Sequence, residues 1–259
     1  MNQRMKQLKS GLIVMVLLMV AVIPAGICND NGEKSPELTL GDSFFSDFKE
    51  KGDPIWSASS GWSNGNMFRV GWMADHAVAD KGFLTLTLDN EESCDQPFTS
   101  GEYRTGQFYQ YGTFEVRMKA AKQKGIVSSF FTYTGPYDGQ PWDEIDIEFL
   151  GRDTTIVQFN YFSNGHGNHE YIDNLGFDAS EDFHDYKIVW SKEKIDWYVD
   201  GVLKYTATKD IPTHPQRIMM NLWAGTGVDN WLAPFQYNGP LHAVYDWVRY
   251  TKEEEAVAK

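Results

Sequence analysis

Three carboxyl groups and a tryptophan alternate along one short stretch of the chain. If this stretch is extended, one side carries Trp142, Glu144, Asp146 and Glu148. Same-side neighbours lie about 6–7 Å apart at Cα, so three ionised carboxylates would repel one another. Such repulsion separates neighbouring pKa values and leaves one carboxyl protonated beside an ionised one. A pair of this kind beside an aromatic ring suits the hydrolysis of a sugar chain.

The main alternative is an ordinary half-exposed strand, because acidic residues are common on solvent faces. The opposite side of the stretch, Ile145, Ile147 and Phe149, is apolar and suits burial in a sheet. A solvent face usually includes Lys, Thr or Ser, whereas here a large aromatic residue continues the acidic row. We therefore interpret the three acidic residues as a catalytic group.

Composition limits the classes of partner. The 259 residues allow one large β domain or two small ones. The 23 Lys and Arg against 36 Asp and Glu give a net charge of −13, which argues against nucleic acid and anionic membranes as partners. A neutral polymer needs no charge complementarity. The aromatic content of 15% fits an aromatic core together with platforms for sugar rings.

The N-terminus resembles an export signal over residues 1–27. Basic residues precede the apolar run Leu12–Ile23, which is shorter than the roughly 20 residues of a spanning helix. Cleavage after Ala25 predicts a soluble extracellular enzyme. Alternatively, Cys28 becomes a lipidated first residue, and residues 28–42 form a polar tether at the cell surface. Such a lipid is the only membrane contact that we expect.

Many short alternating segments with Gly-rich turns predict an all-β chain, an antiparallel β-sandwich of jelly-roll type. We expect one domain over residues 43–251, a loop over Trp56–Phe68 and a polar tail over residues 252–259. The predicted strands are an edge segment within Leu38–Phe48, then Phe83–Leu88, Glu102–Gln107, Thr113–Lys119, Ile126–Thr134, the acidic strand from Trp142, Thr154–Phe162, Phe183–Ser191, Ile195–Val199, Val202–Thr208, Arg217–Trp223 and Leu241–Tyr250.

The acidic strand and its flanks resemble a known family. Trp142–Gly151, Gly125–Gly135 and Ile218–Trp231 are similar to the bacterial lichenases, endo-β-1,3-1,4-glucanases of glycoside hydrolase family 16. The similarity extends from about Phe44 to Tyr250. It implies a curved jelly roll with a substrate cleft on its concave face, and a β-glucan polysaccharide as substrate.

The resemblance also implies roles for individual residues. Glu144 matches the nucleophile, Glu148 the acid/base, and Asp146 the residue that tunes the pair. It implies a cleft lined by Asn64, Phe68, Glu102, Arg104, Tyr133, Trp142, Asn160, Trp223 and Trp231. No cofactor is implied for catalysis, but a structural calcium ion is, with Asp246 as ligand and carbonyls near Asp47 and Gly82. We expect a monomer.

The sequence departs from the family pattern at three places. Many relatives have a disulfide between the segments near Val70 and Ser100, and neither position is a cysteine here. Phe162 stands where relatives often have Tyr, which removes a hydroxyl contact to substrate. Asp47 replaces a common Pro next to the calcium ion, leaving its carbonyl but changing the local rigidity.

Simpler interpretations exist for several of these residues. Trp223 and Trp231 suit an aromatic core, and Glu102 with Arg104 suits a surface ion pair. Asp246 by itself would be a solvated carboxylate. The histidines show no metal-ligand spacing.

Three other functions compete with a lichenase. Xyloglucan transferases usually have a glycosylation sequon after the acidic strand and a cysteine-rich extension, which Arg152–Thr154 and the short tail lack. Laminarinases and agarases commonly insert a residue before the second glutamate, and no insertion is present. A jelly roll that only binds sugar would be expected to lack one of the two glutamates.

Overall fold

The computed structural model describes residues 38–49 and 52–253. The predicted signal segment, most of the predicted tether and the end of the predicted tail lie outside these residues. Within the described part, no helix is both long enough and apolar enough to cross a membrane. The described residues form two sheets that pack face to face, which confirms the predicted antiparallel sandwich.

The smaller sheet has seven strands and contains the acidic stretch. Its order is β12 (Tyr171–Asn174), β11 (Ile156–Phe162), β10 (Asp143–Leu150), β9 (Ile126–Thr134), β16 (Arg217–Ala224), β7 (Glu102–Thr105) and β2 (Trp56–Ala58). All neighbouring pairs in this sheet are antiparallel.

The larger sheet has ten strands. Its main path is β15 (Val202–Ala207), β14 (Ile195–Val199), β13 (His184–Trp190), β8 (Gly112–Lys119), β17 (Leu241–Thr251), β5 (Phe83–Asp89), β6 (Phe98–Ser100) and β3 (Val70–Trp72). Two further strands pair off this path: β1 (Phe44–Ser46) with β17 and β4 (Ala77–Asp80) with β5. The strands β3 and β6 are parallel, so Val70 and Ser100 lie in adjacent segments although neither is a cysteine.

The core lies between the sheets and follows from the alternation of each strand. On β10, Ile145, Ile147 and Phe149 are all 0% exposed and point inward. The larger sheet contributes residues such as Trp197 and Tyr245, which are equally buried. Each such side chain stabilises the fold by about 1.5–3 kcal/mol through burial. The buried apolar side chains of β10 therefore hold the strand in place, with its acidic side chains on the opposite face.

Most predicted strands are confirmed, and the errors concern short elements. The predicted loop from Trp56 was wrong at its start, because Trp56–Ala58 pairs with β7. Four further strands of three or four residues, β3, β4, β6 and β12, were not predicted, and neither was the single-turn helix α1 (Asp229–Leu232). Such segments show no periodicity of their own, because neighbouring strands decide their conformation.

Candidate active site

The three acidic residues lie on the outward face of the smaller sheet, here called the carboxylate face. Glu144, Asp146 and Glu148 alternate along β10 with the buried apolar residues. The Trp197 side chain reaches through the core and donates its Nε1–H to the backbone oxygen of Asp146 at 3.0 Å. The acidic strand is thus fixed from behind by an inward-facing residue of the other sheet.

Register places a distinct set of neighbours beside each acid. Glu144 lies between Tyr133 on β9 and Phe162 on β11. Asp146 lies between Phe131 and Asn160.

The third acid, Glu148, lies between Ser129 and Gln158. Because opposite residues share a face, all these side chains belong to the carboxylate face. Asn160, predicted from the resemblance, is therefore beside Asp146.

The carboxylate face is recessed. Asp146 is 4% exposed, and its neighbours Gln158 and Asn160 are buried too, although they point away from the core between the sheets. The Asn160 Oδ1 atom is buried without a hydrogen-bond partner among the described residues. A buried carbonyl of this kind favours a donor from a ligand.

Glu144 is held by two donors. The Trp142 indole donates its Nε1–H to Glu144 Oε2 at 2.6 Å, and Asp146 hydrogen-bonds the same carboxyl group. Burial raises the pKa of Glu144 to about 7, while these two hydrogen bonds oppose the rise. Glu144 is therefore the easier of the two glutamates to ionise.

Glu148 has fewer stabilising contacts in its charged form. Burial, followed by the charge of Glu144, raises its pKa to about 8, opposed by a hydrogen bond from Gln158 Nε2 to Glu148 Oε2 at 2.7 Å. The Trp231 indole in turn donates to Gln158 Oε1 at 3.1 Å. Tryptophan, glutamine and glutamate form one chain that orients the Glu148 carboxyl group.

Asp146 also retains its proton well above the ordinary range of an aspartate. Burial raises its pKa well above the ordinary value, and the charges of Glu144 and Glu148 add to the effect. A protonated Asp146 donates to Glu144, which keeps that group ionised. The arrangement thus holds one ionised carboxylate and one protonated carboxyl on a single strand, which suits attack at one atom and proton donation at another.

Aromatic side chains border the carboxylate face at both ends. Trp142 stacks on Phe162 with ring centroids 4.2 Å apart at 17°. At the other end, the Trp223 ring lies 4.2 Å from that of Phe68 and 5.9 Å from that of Trp231. Trp223 is only 3% exposed, so in this structure it supports this border of the carboxylate face through packing.

The remaining predicted cleft residues occupy the same face or its border. Glu102 and Arg104 lie on β7 opposite Asn221 and Met219. Glu102 is 2% exposed and accepts from Ser59 Oγ at 2.7 Å, so a simple surface ion pair with Arg104 is not its environment.

Tyr133 and Asn64 complete the set. Burial, with the charge of Glu144 next, raises the pKa of Tyr133, which keeps its hydroxyl neutral. A Cβ at Gly135 would lie 2.3 Å from that hydroxyl, so a side chain there would displace the Tyr133 ring. Asn64 Oδ1 accepts from Trp72 Nε1 at 2.7 Å, which fixes the loop that borders the face.

The comparison with known families agrees with this geometry. Residues 64–249 match the family described as Glycosyl hydrolases family 16. The chain belongs to glycosyl hydrolases family 16. The matched range includes the whole carboxylate face except β2.

Similar proteins specify the kind of family 16 enzyme. A protein named Beta-glucanase from Bacillus subtilis is 56% identical over 214 residues, 82% of this chain and 88% of its own. The solved Bacillus licheniformis beta-glucanase superposes with a TM-score of 0.79 at 55% identity, covering 82% of this chain and 99% of its own. A lichenase from a mouse hindgut metagenome matches with a TM-score of 0.79 at 50% identity, with the same coverage. This family 16 chain is a β-glucanase, an endo-acting glycoside hydrolase.

The residues implied for calcium are only partly brought together. The Asp47 carbonyl oxygen lies 3.8 Å from the position that a Gly82 Cβ would take, so those two segments are adjacent. The Asp246 carboxylate is engaged by Arg117 Nε at 3.3 Å. Oxygen ligands of this type fit Ca²⁺, with water completing the shell. The described residues contain no cluster of three or more acidic, His or Cys side chains that would hold a metal ion.

Sequence reasoning missed several polar residues of the site. Gln158 contacts Glu148, and Asn221 links Ser129 to Glu102. Each lies directly opposite a predicted residue in the register, so strand pairing was the signal that was lacking. Asp143 was also missed, because it faces inward and away from the acidic row.

Proposed function

We propose that this β-glucanase hydrolyses mixed-linkage β-1,3-1,4-glucan, at β-1,4 bonds that follow a β-1,3-linked glucose, with retention of anomeric configuration. One observation carries the proposal: Glu144 and Glu148 share one face of β10 but have different partners and unlike proton affinities. A double-displacement mechanism needs that asymmetry.

Glu144 acts as the nucleophile. Its ionised form is stabilised by donors from Trp142 and Asp146, and it attacks the anomeric carbon of the bound sugar. Glu148, which retains its proton to higher pH, gives that proton to the departing glycosidic oxygen. The products of this step are a covalent glycosyl-enzyme and an ionised Glu148.

Glu148 then acts as a base. It takes a proton from water while the water oxygen attacks the anomeric carbon and the bond to Glu144 breaks. Two inversions give net retention, and both glutamates return to their starting protonation states. Asp146 keeps its proton throughout and offers a hydrogen bond to Glu144 in each charge state.

The cleft and a neutral polymer suit each other. Asn64, Phe68, Glu102, Arg104, Tyr133, Trp142, Asn160 and Trp231 supply ring faces and polar groups for sugar hydroxyls, and Trp223 supports them by packing. The preference for mixed linkages is supported by the 50% identity to the protein titled beta-1,3-1,4-glucanase (lichenase). In contrast, a Thermotoga maritima laminarinase domain of the same fold is 25% identical.

Three further properties belong to the same proposal. The enzyme is exported through residues 1–27, and it is either released or attached to the cell surface through a lipid on Cys28. It works as a monomer. A calcium ion, held by the Asp246 carboxylate and the carbonyls near Asp47 and Gly82, supplies stability and no chemistry.

A reducing-sugar assay with four substrates tests the proposal. Barley β-glucan, laminarin, xyloglucan and carboxymethylcellulose are supplied at equal mass concentration. We expect the fastest release of reducing ends from barley β-glucan and little from the other three. Faster cleavage of laminarin would assign the enzyme to pure β-1,3-glucan instead.

A further inference from the structure

Another buried carboxylate lies next to Glu144 in the chain and has no part in the mechanism above. Asp143 points inward, opposite to Glu144, and is 0% exposed. A buried charge is costly unless hydrogen bonds satisfy it. The hydrogen-bond donors to its two oxygens therefore show which groups stabilise the buried charge.

Each Asp143 oxygen holds a different loop. Oδ1 accepts the backbone N–H of Asn164 at 2.7 Å. Oδ2 accepts the backbone N–H groups of Thr213 at 2.9 Å and His214 at 3.0 Å. His214 Nδ1 is also 2.9 Å from Oδ2, and since a carboxylate only accepts, the ring donates. Four donors converge on one buried side chain.

The loop held by Oδ1 lies against Trp142. Gly165 donates its backbone N–H to the Trp142 carbonyl at 2.7 Å, and a Cβ at Gly165 would lie 4.0 Å from the indole ring. The same indole stacks on Phe162. Trp142 thus contacts both a loop that Asp143 anchors and a ring of β11.

We propose that Asp143 is a positioning residue: its carboxylate anchors the 163–165 loop on Trp142 and so holds the indole N–H on Glu144. This inference rests on the proposed role of Glu144 as nucleophile. It assigns Asp143 an effect on the reaction without contact to the sugar.

The substitution Asp143→Asn distinguishes the effects of the two loops, because it removes the contact to only one of them. Three donors converge on Oδ2, so the asparagine carbonyl would face them and its NH₂ group would face the Asn164 N–H. The NH₂ group and the Asn164 N–H are both donors and cannot bond to each other, so only the contact with the 163–165 loop is lost. His214→Ala removes one donor from the Oδ2 side and leaves the Asn164 bond in place, so it is the matched control.

The readout is the pH profile of kcat/KM on barley β-glucan. The titratable groups that face Glu144 are Asp146 and Glu148 on its own strand, Tyr133 on β9 and Glu102 on β7, while β11 presents Phe162. None of these is changed in either variant. Loss of a well-aligned Trp142 donor disfavours ionised Glu144, so the acid limb should move to higher pH.

We expect Asp143→Asn to lower kcat about five- to tenfold and to raise the acid limb by about half a pH unit, the scale of one hydrogen bond to a charged group. His214→Ala should leave the acid limb in place, and Trp142→Phe should raise it as Asp143→Asn does. In the Trp142→Phe background, Asp143→Asn should shift the limb no further. If Asp143→Asn lowers the melting temperature but leaves the acid limb unchanged, Asp143 is merely structural and the inference is overturned.

A second variant covers failure of Asp143→Asn to fold. Trp142→Phe leaves Asp143 and both loops in place and removes only the indole donor to Glu144. It should move the acid limb to higher pH by about half a pH unit, and an unchanged limb would show that the indole N–H does not control Glu144 and would refute the inference. Absence of β-glucan hydrolysis by the parent enzyme would instead refute the proposed function, so the two failures are distinguishable.

Discussion

The outer faces of the two sheets treat carboxylates in opposite ways. On the larger sheet, Arg117 contacts Asp185 at 2.9 Å and Asp246 at 3.3 Å, and Arg249 contacts Glu115 at 3.7 Å. Each acid there has a cation on a neighbouring strand and remains half-exposed. The acids of β10 have no cation on either neighbouring strand. Burial raises their pKa values, and only neutral donors reach them.

The difference shows how the surroundings of a carboxyl group decide its effect on folding stability and its ability to exchange protons. A surface ion pair contributes little to stability, typically below 1 kcal/mol. A row of recessed carboxyl groups without cations destabilises the folded state at neutral pH, but its members can exchange protons with a substrate there. Acidic residues on the outer face of the larger sheet form surface ion pairs, whereas those on β10 are placed to exchange protons with a substrate.

The largest expected effect separates the two glutamates. Glu144→Ala and Glu148→Ala should each reduce hydrolysis roughly 10³-fold, the scale of a lost catalytic group. With azide and a substrate that has an activated leaving group, Glu144→Ala should give the α-glycosyl azide by a single inversion. Glu148→Ala should give the β-glycosyl azide by two inversions. Product anomers are read by NMR, and interchanged anomers would reverse the two roles.

The second effect concerns the larger sheet. Calcium at a hundred times its dissociation constant should stabilise the fold by about 2.7 kcal/mol, by mass action on the folded state. Chelation should therefore lower the melting temperature while leaving activity at 25 °C unchanged. Asp246→Ala should abolish the calcium response.

The control for that experiment is Asp185→Ala. Asp185 shares Arg117 with Asp246 but is not among the proposed ligands. Its variant should keep the full calcium response. Equal responses from the two variants would place the ion elsewhere or exclude it.

The third effect tests the chain that orients Glu148. Gln158→Leu removes the bond that lowers the pKa of Glu148 and also the acceptor for Trp231. We expect the alkaline limb of kcat/KM to move to higher pH and kcat to fall about tenfold, as the acid loses its orientation. An alkaline limb that stays in place would mean that another group controls it.

The smallest effect compares one acid from each face directly. Glu148→Gln should stabilise the protein at pH 8 by about 1–2 kcal/mol, a few degrees in melting temperature. In the folded state Glu148 has a pKa of about 8, above that of the unfolded chain, so its stabilisation is full below about pH 4.5 and is lost as pH rises to 8. The gain from the substitution should therefore vanish at pH 4.

The matched variant on the other face is Glu115→Gln. Since Glu115 has Arg249 as its partner, the change at pH 8 should be a loss below about 1 kcal/mol. Melting curves at both pH values measure both variants. A stabilisation by Glu115→Gln equal to that by Glu148→Gln would remove the distinction between the faces.

The shared face of the three acidic residues could be predicted from the sequence, because chemistry and periodicity coincide there. The acidic row of β10 follows from strict alternation, and Asn160 falls on the same face by pairing. The sequence did not predict that Glu102 is buried, because burial depends on Ser59 and the loop that covers it. It also gave no reason to single out Asp143, whose importance depends on loops that are 21 and 70 residues away in the chain. Contacts between distant segments were the missing information.

The last strand of the domain occupies the middle of its larger sheet. Because β17 pairs with β8, β5 and β1, that sheet has a gap at its centre until residues 241–251 are in place. Pairings across such long sequence separations form slowly, and a nascent chain that lacks β17 has two incomplete half-sheets. The fold is therefore completed only by the last residues of the domain to be synthesised, and a chain truncated before residue 241 would lack the strand that joins the two halves of the larger sheet.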